Sequence, residues 1–399
     1  MKMNTLPYGR QNVTEEDIQA VISVLKSEFL TQGDRVPEFE KAFASYIGCE
    51  YAVAVANGTA ALHLAALALD ITAKDKVITT PITFAASANC IRYCGGEVYF
   101  VDIDEDTLLI DTKKLRILIE SQPRGTFSGI VPVDFSGRAV DLEQLRELAD
   151  EYGLWILEDA CHAPGGYFVD RAGNRQYCGN GRFADMSIFS FHPVKHIATG
   201  EGGMITTNNK ELYEKLLLLR THGITRDPAQ FTNSLQTALM TNEPAGDKYP
   251  PWYMEMQVLG YNYRLTDIQA ALGSSQLKRA DAGLDRRRMI AKRYAEAFSG
   301  AGFIKRQSGY VDGHSYHLYI LEVDNRLALF NYLRESRIYA QIHYVPCHLM
   351  PYYKQLGWKE GDMPVSENYY AGCISIPMYP TLTDEEQDYV IDKIQSFYA

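Results

Sequence analysis

The sequence predicts an α/β fold: a mixed, mostly parallel sheet of seven strands, then a smaller C-terminal α+β domain. Three observations predict it. Short apolar runs of strand character recur at 52–55, 76–79, 97–101, 129–133, 155–157, 186–190 and 204–207. Helical patterns at 60–69, 85–93 and 142–152 separate several of them, as in parallel βαβ units. Between Ser190 and Met204, by contrast, lies only a short glycine-rich turn. A parallel crossover needs a longer, usually helical connection, so the seventh strand is expected to run antiparallel to its neighbours.

The remaining elements follow in order. Thr14-Glu15-Glu16-Asp17 opens a helix that runs to about Ser27, with the threonine as cap. The stretch 241–252 is rich in proline, glycine and charge and reads as a surface loop. A polar pattern from Thr266 to about Phe298 reads as one long helix leading to the second lobe. We therefore expect a large domain over 1–270, N-terminal segment included, and a linking helix with a small domain over 271–399. The small domain mixes strands at 317–323 and 340–344 with helices at 328–336 and 384–397. No internal repeats, low-complexity tracts or heptads interrupt this plan.

Composition excludes several classes. The chain has 399 residues, enough for a large core and two lobes. Its 50 acidic against 39 basic residues give a net charge of −11, and no Lys/Arg cluster offsets it, which argues against nucleic-acid binding. The longest apolar run, 60–69, is broken by His63 and too short to cross a bilayer. Met1-Lys2-Met3-Asn4 leads into no apolar signal core. Cys90 and Cys94 stand one helical turn apart without a second ligand pair, so buried thiols are expected and no metal site. The reducing cytoplasm is the compartment that seven cysteines in such a chain suggest.

Two groups carry chemistry. Ser190-Phe191-His192-Pro193-Val194-Lys195 puts a lysine just past a strand-like run, with Thr199-Gly200-Glu201-Gly202-Gly203 behind it. Apolar neighbours (Phe189, Phe191, Pro193, Val194) should strip water from the amine and lower its pKa. A neighbouring strand ends in Glu158-Asp159, where α/β sheets place ligands. An amine and a carboxylate at such strand ends suit pyridoxal phosphate: the lysine holds the aldehyde as a Schiff base, and the aspartate keeps the ring nitrogen protonated. Taken alone, Asp159 reads equally as a turn cap, and a lysine in a loop is usually a surface residue. Asn57-Gly58-Thr59-Ala60-Ala61-Leu62 opens an alanine-rich helix, and free amides at a helix start attract phosphate. Alone it is an ordinary strand-to-helix turn. His162 lies three residues beyond Asp159, within reach of the ring or its 3-oxygen, while Cys161 reads as a packed small side chain. Asn262 and Arg264 open a further helix, and the polar/apolar alternation over 341–346 reads as a strand with one exposed face.

Together these segments resemble the sugar aminotransferases of the DegT/DnrJ/EryC1/StrS family, with Pro7-Tyr8-Gly9-Arg10-Gln11, Phe29-Leu30-Thr31-Gln32-Gly33, Thr80-Pro81-Ile82-Thr83-Phe84 and 262–273 in support. Trp252-Tyr253-Met254-Glu255-Met256-Gln257 and His343-Tyr344-Val345-Pro346-Cys347-His348 are most similar to the branch that makes UDP-4-amino-4,6-dideoxy sugars for pseudaminic acid. The resemblance implies a fold-type-I pyridoxal-phosphate transferase. It implies that Lys195, Asp159 and His162 are catalytic, and that Gly58, Thr59, Ala60, Phe84, Ser190 and Asn262 join them in holding the cofactor. Tyr8, Leu30, Thr31, Asn262, Gln341, His343 and Tyr344 would line the nucleotide-sugar pocket. Asn262 would reach the partner's site, making a homodimer the functional unit, with L-glutamate and a UDP-keto-sugar as substrates. Cys161 stands where alanine is commoner and Asn57 where serine is common; neither removes a catalytic group. Related dehydratases carry histidine in place of the lysine, so Lys195 argues against that activity. Three other readings compete: the same transfer on a GDP- or dTDP-linked keto sugar, a non-catalytic sensor on this fold, and a dinucleotide-dependent oxidoreductase. A sensor has no need of both Lys195 and Asp159, and the first strand lacks the Gly-x-Gly-x-x-Gly turn of the oxidoreductase.

Overall fold

The computed structural model describes residues 5–240 and 248–399. Seven strands form its central sheet: β1 (Tyr51–Val55), β2 (Lys76–Thr79), β3 (Glu97–Phe100), β4 (Gly129–Val131), β5 (Trp155–Asp159), β6 (Met186–Ser190) and β7 (Gly203–Thr207). Their order is β1-β7-β6-β5-β4-β2-β3. Only β7 is antiparallel, to both β1 and β6, as its short connection requires. Because β7 opposes both, β1 runs with β5 and β6, and the carboxyl ends of all three open onto one edge.

Side-chain alternation explains why these strands read as continuous apolar runs. Along β1, Val53 and Val55 enter one apolar layer with Leu64 and Ile91. Ala52 and Ala54 enter another with Phe39, Phe43 and Phe189. Both faces are covered, so both residue sets are apolar. The first helix after β1, α1 (Gly58–Ala68), is buried on nearly every side, between β7 and the helices Ala86–Tyr93 and Lys210–Arg220. Only small side chains fit such a sandwich, which accounts for its alanines.

Beyond the sheet, β8 (Ile304–Gln307), β9 (Tyr319–Val323) and β10 (Cys373–Ile376) form an antiparallel sheet. Its core joins Tyr294, Leu321, Leu333, Ile374 and Ile394. Leu6 belongs to that core too, because Leu6–Pro7 pairs in parallel with Ile338–Tyr339. Among the described residues no helix is long and apolar enough to cross a membrane.

Two local expectations are corrected. The long helix expected from Thr266 is two helices, Asp267–Leu277 and Ala280–Ala297. Arg279 leaves helical angles there (φ −121°, ψ 16°), and its guanidinium is anchored on Asp17 (Nη1 to Oδ1, 2.8 Å). A one-residue kink barely disturbs the apolar period, so the pattern runs through it. The strand expected at 340–344 does not form; a two-residue strand, Ile338–Tyr339, precedes it, and Gln341 makes only an isolated bridge to Ser375. The polar/apolar alternation beyond it has another cause: His343 faces a cavity while Ile342 packs on the core. Of the loop expected over 241–252, residues 241–247 lie outside the described residues, and the rest turns through the Tyr253 amide on the Pro250 carbonyl (2.9 Å). Cys90 is buried and Cys94 half-buried, and burial pushes the Cys94 thiol up to about 11.

Candidate active site

A cavity of about 840 Å³ lies beyond the carboxyl ends of β1, β5 and β6. It gathers Gly58, Thr59, Ala60, Phe84, Asp159, His162, Ser190 and Lys195, with Tyr8, His343 and Tyr344. Leu30, Thr31, Asn262 and Gln341 lie outside it, all on the exposed surface of this chain. Asn262 bridges Thr221, Gln341 bridges Ser375, and the Leu30 carbonyl accepts from the Asp267 amide (3.0 Å).

Lys195 owes its place to a tightly zipped loop between β6 and β7. The Phe191 amide donates to the Gly202 carbonyl (2.8 Å), Thr199 to Phe191 (2.9 Å) and Lys195 to His192 (2.8 Å). Phe191 is fully buried against Phe39 and Phe43, which pins the loop to the core. The Lys195 side chain faces the cavity and stays partly exposed, yet protein surrounds it closely enough that lost hydration lowers its pKa. Asp159 ends β5, buried, and accepts from Ser87 Oγ (2.6 Å) and the Cys161 amide (3.1 Å). Both bonds fix its carboxylate. Cys161 lines the cavity, and burial raises its thiol well above the usual range, so it is no ready nucleophile.

At the start of α1, Asn57 Oδ1 accepts from the Ala60 amide (2.8 Å) and caps the helix. The amides of Gly58 and Thr59 sit in the first turn, where no intrahelical acceptor exists. A Cβ on Gly58 would come 3.0 Å from Ser190 Cβ, and one on Gly203 would strike the Asn57 carbonyl at 2.5 Å. Glycine at both positions lets the helix start, β7 and Ser190 close into one cup. That cup suits a phosphate.

At the other side, His162 is buried, with Nε2 3.3 Å from the Tyr344 hydroxyl and Nδ1 unpartnered. Its ring lies 4.3 Å from that of His317, which also lines the cavity with Nδ1 unpartnered. Burial, then the charge of Lys195, pushes both imidazoles well below their usual pKa, so both are neutral. His343 bonds Ser375 Oγ (2.9 Å) and is pushed down to about 3 by burial. Sequence reasoning missed His317, Ser87, His63, Tyr93 and Tyr263 around this cavity. His317 stood in the expected strand 317–323, where only a histidine repeat, His314-Ser315-Tyr316-His317, marked it.

An amine of lowered pKa, a fixed carboxylate and a phosphate cup in one cavity define a pyridoxal-phosphate enzyme of the aminotransferase class, and the residues fit that cofactor. Residues 11–395 match the profile of the DegT/DnrJ/EryC1/StrS aminotransferase family, to which the chain belongs: it is a PLP-dependent sugar aminotransferase. The chain is 38% identical over 402 residues to the spore coat polysaccharide biosynthesis protein SpsC of Bacillus subtilis, covering 98% of this chain and 96% of that one. It is 37% identical over 403 residues to a UDP-4-amino-4,6-dideoxy-N-acetyl-β-L-altrosamine transaminase of Campylobacter jejuni, covering 98% and 97%. Among solved structures, Helicobacter pylori PseC, an aminotransferase of pseudaminic acid biosynthesis, matches with a TM-score of 0.86 at 29% identity over 98% of this chain and 99% of that one. The PMP form of the sugar aminotransferase Spr1654 of Streptococcus pneumoniae matches at 0.85 and 28%, covering 98% of each.

Proposed function

We propose that the protein moves the amino group of L-glutamate to C4 of a UDP-linked 4-keto-6-deoxy-N-acetylhexosamine, UDP-2-acetamido-2,6-dideoxy-β-L-arabino-hexos-4-ulose, as a step toward pseudaminic acid. The observation that carries the chemistry is the meeting of Lys195, Asp159 and the Gly58–Ala60 turn in one cavity. The full-length likeness to the Campylobacter transaminases supports the choice of sugar.

Bound pyridoxal phosphate supplies an electron sink for the carbon bearing the amine. The protein's residues do the rest. Lys195 is the covalent anchor, and with its pKa lowered it takes the substrate's proton and returns it from one fixed face. Asp159, locked by Ser87, holds the ring nitrogen protonated. The Gly58 and Thr59 amides, Ala60 and Ser190 bind the phosphate. Neutral His162, its Nε2 3.3 Å from the Tyr344 hydroxyl, would offer its ring to the bound cofactor. Tyr8, His343 and Tyr344 shape the sugar end.

A homodimer follows from the same reading. Asn262 is exposed and does not line this chain's cavity, and beside it Met256, Val258 and Leu259 are 65%, 42% and 77% exposed. So much apolar surface next to a residue meant for a cofactor phosphate fits a second copy. We place the dimer in the cytoplasm; the seven cysteines are all unpaired, in keeping with a reducing compartment.

The Bacillus relative, named for spore coat polysaccharide and equally similar, favours a second reading in which the same transfer acts on a different nucleotide 4-keto sugar. Incubating the purified protein with glutamate and a panel of UDP-, GDP- and dTDP-linked 4-keto sugars, with products identified by mass spectrometry and NMR, separates the two. No turnover of the UDP-linked arabino ketone ends the first reading. Failure of glutamate to bleach the cofactor's visible band removes the donor.

A further inference from the structure

A second cavity of about 210 Å³ lies behind the lysine loop, sharing only Lys195 with the first. Four arginines line it: Arg10, Arg279, Arg286 and Arg287. Two have carboxylate partners, Arg279 on Asp17 and Arg286 on Asp384. The other two have none among the described residues. Arg287 is 1% exposed, and its Nη1 donates to the carbonyls of Tyr316 (3.0 Å) and Met378 (2.8 Å) while Nε has no partner. Arg10 donates only to the Thr5 carbonyl (2.9 Å) and rests over the Tyr379 ring (5.3 Å).

A buried guanidinium without a counterion is costly. Burial alone accounts for the fall of the Arg287 pKa to about 9, with no carboxylate acting against it. His196 adds a third unsatisfied group. Its Nε2 lies 2.7 Å from the Ser315 carbonyl, so that nitrogen carries the hydrogen and Nδ1, unpartnered and buried, is an acceptor. The space exceeds that of one water, whose share of liquid volume is about 30 Å³.

We propose that this cavity is a binding site for a small oxyanion, a carboxylate or a phosphate, held between Arg10 and Arg287 with His196 alongside. The anion supplies the negative charge that the chain itself does not bring there. Its place behind Lys195 and Ala198 couples occupancy to the loop that carries the catalytic amine.

The test uses the holoenzyme, so that the cofactor fills the phosphate cup of the first cavity. Melting temperature is titrated at constant ionic strength with sodium phosphate, sodium acetate or sodium chloride. The expected result is a saturable rise with phosphate or acetate beyond that of chloride, and the stronger of the two names the source. Arg10→Gln should weaken that binding by about tenfold, the loss of one charge-assisted contact. Arg287→Lys should do the same; if it fails to fold, Arg10→Gln decides alone, since Arg10 anchors little else. Equal shifts with all three salts, no saturation, or an unchanged midpoint in Arg10→Gln would each overturn the site and leave a water-filled cavity.

Discussion

Lys195, Asp159 and the Gly58–Ala60 turn each follow directly from a strand of the central sheet, whereas Tyr8, His317, His343 and Tyr344 reach the same cavity from the N-terminal strip and the irregular segments around β9 and β10. The first set is held by backbone ladders and buried aromatic rings. The second is held outside the central sheet, by short pairings and scattered contacts: the Tyr8 carbonyl accepts from the Met378 amide (2.9 Å), Tyr344 meets His162, and His343 bonds Ser375. On the proposed function, the difference separates chemistry from selectivity: the groups assigned to the cofactor sit on the sheet, and those assigned to the sugar sit on segments outside it, where change would leave the sheet undisturbed.

The hardest blow to that comparison comes at the stiff end. Lys195→Ala should lower turnover by at least about 10⁴-fold, since both covalent anchor and proton carrier go. Borohydride reduction followed by peptide mass spectrometry should find no cofactor fixed to the chain. Residual turnover within tenfold of the parent would mean that another group moves the proton. Asp159→Asn should cost about 10³-fold, on the scale of losing one preorganised charge, while the cofactor still binds. Its check is single-turnover kinetics with glutamate alone, because the loss must show before any sugar is added.

A smaller effect concerns stability. Burial lowers the pKa of His63, His162, His196, His314, His317 and His343 below the usual 6.5, to about 3 for His314 and His343. Such a group binds fewer protons folded than unfolded, so its contribution is complete above pH 6.5 and is lost as the pH falls toward the folded value. Asp134, Glu158 and Glu322 oppose this: burial raises all three carboxyls, and a raised acid favours the folded state as the pH drops. Six imidazoles outweigh three carboxyls. Melting temperature should hold from pH 8 to 7 and then fall below 6.5, each pH unit of lost protonation difference costing about 1.4 kcal/mol per histidine. A level curve down to pH 5 would show that these rings are not held neutral.

The same contrast governs what could be read from the chain. Strand runs, the short β6–β7 connection and the positions of Lys195, Asp159 and the Asn57 turn are local patterns, and the sheet and its antiparallel β7 follow from them. Ser87 and His317 were not legible. Ser87 reaches Asp159 across 72 residues, and His317 meets His162 only because two distant segments converge. The kink at Arg279 was hidden because the group that holds its guanidinium, Asp17, lies on the first helix of the chain. Long-range contacts leave no period in a sequence, so the pliant end of the site was the harder to see.

The smallest expected effect tests that pliant end. Tyr344 contributes one hydroxyl, 3.3 Å from His162 Nε2, and a ring set edge-on to Phe84. Burial raises its pKa well above the usual value, so the hydroxyl stays protonated and can donate to the neutral imidazole. Tyr344→Phe keeps the ring and removes only that bond, worth about 0.5–1.5 kcal/mol, or about two- to tenfold in rate. If the two ends are independent, the loss should appear as a higher KM for the keto sugar, with the glutamate half-reaction unchanged. If His162 instead depends on Tyr344 to hold its ring against the cofactor, the glutamate half-reaction should slow by the same factor. The second outcome would move Tyr344 into the stiff set and redraw the boundary at His162.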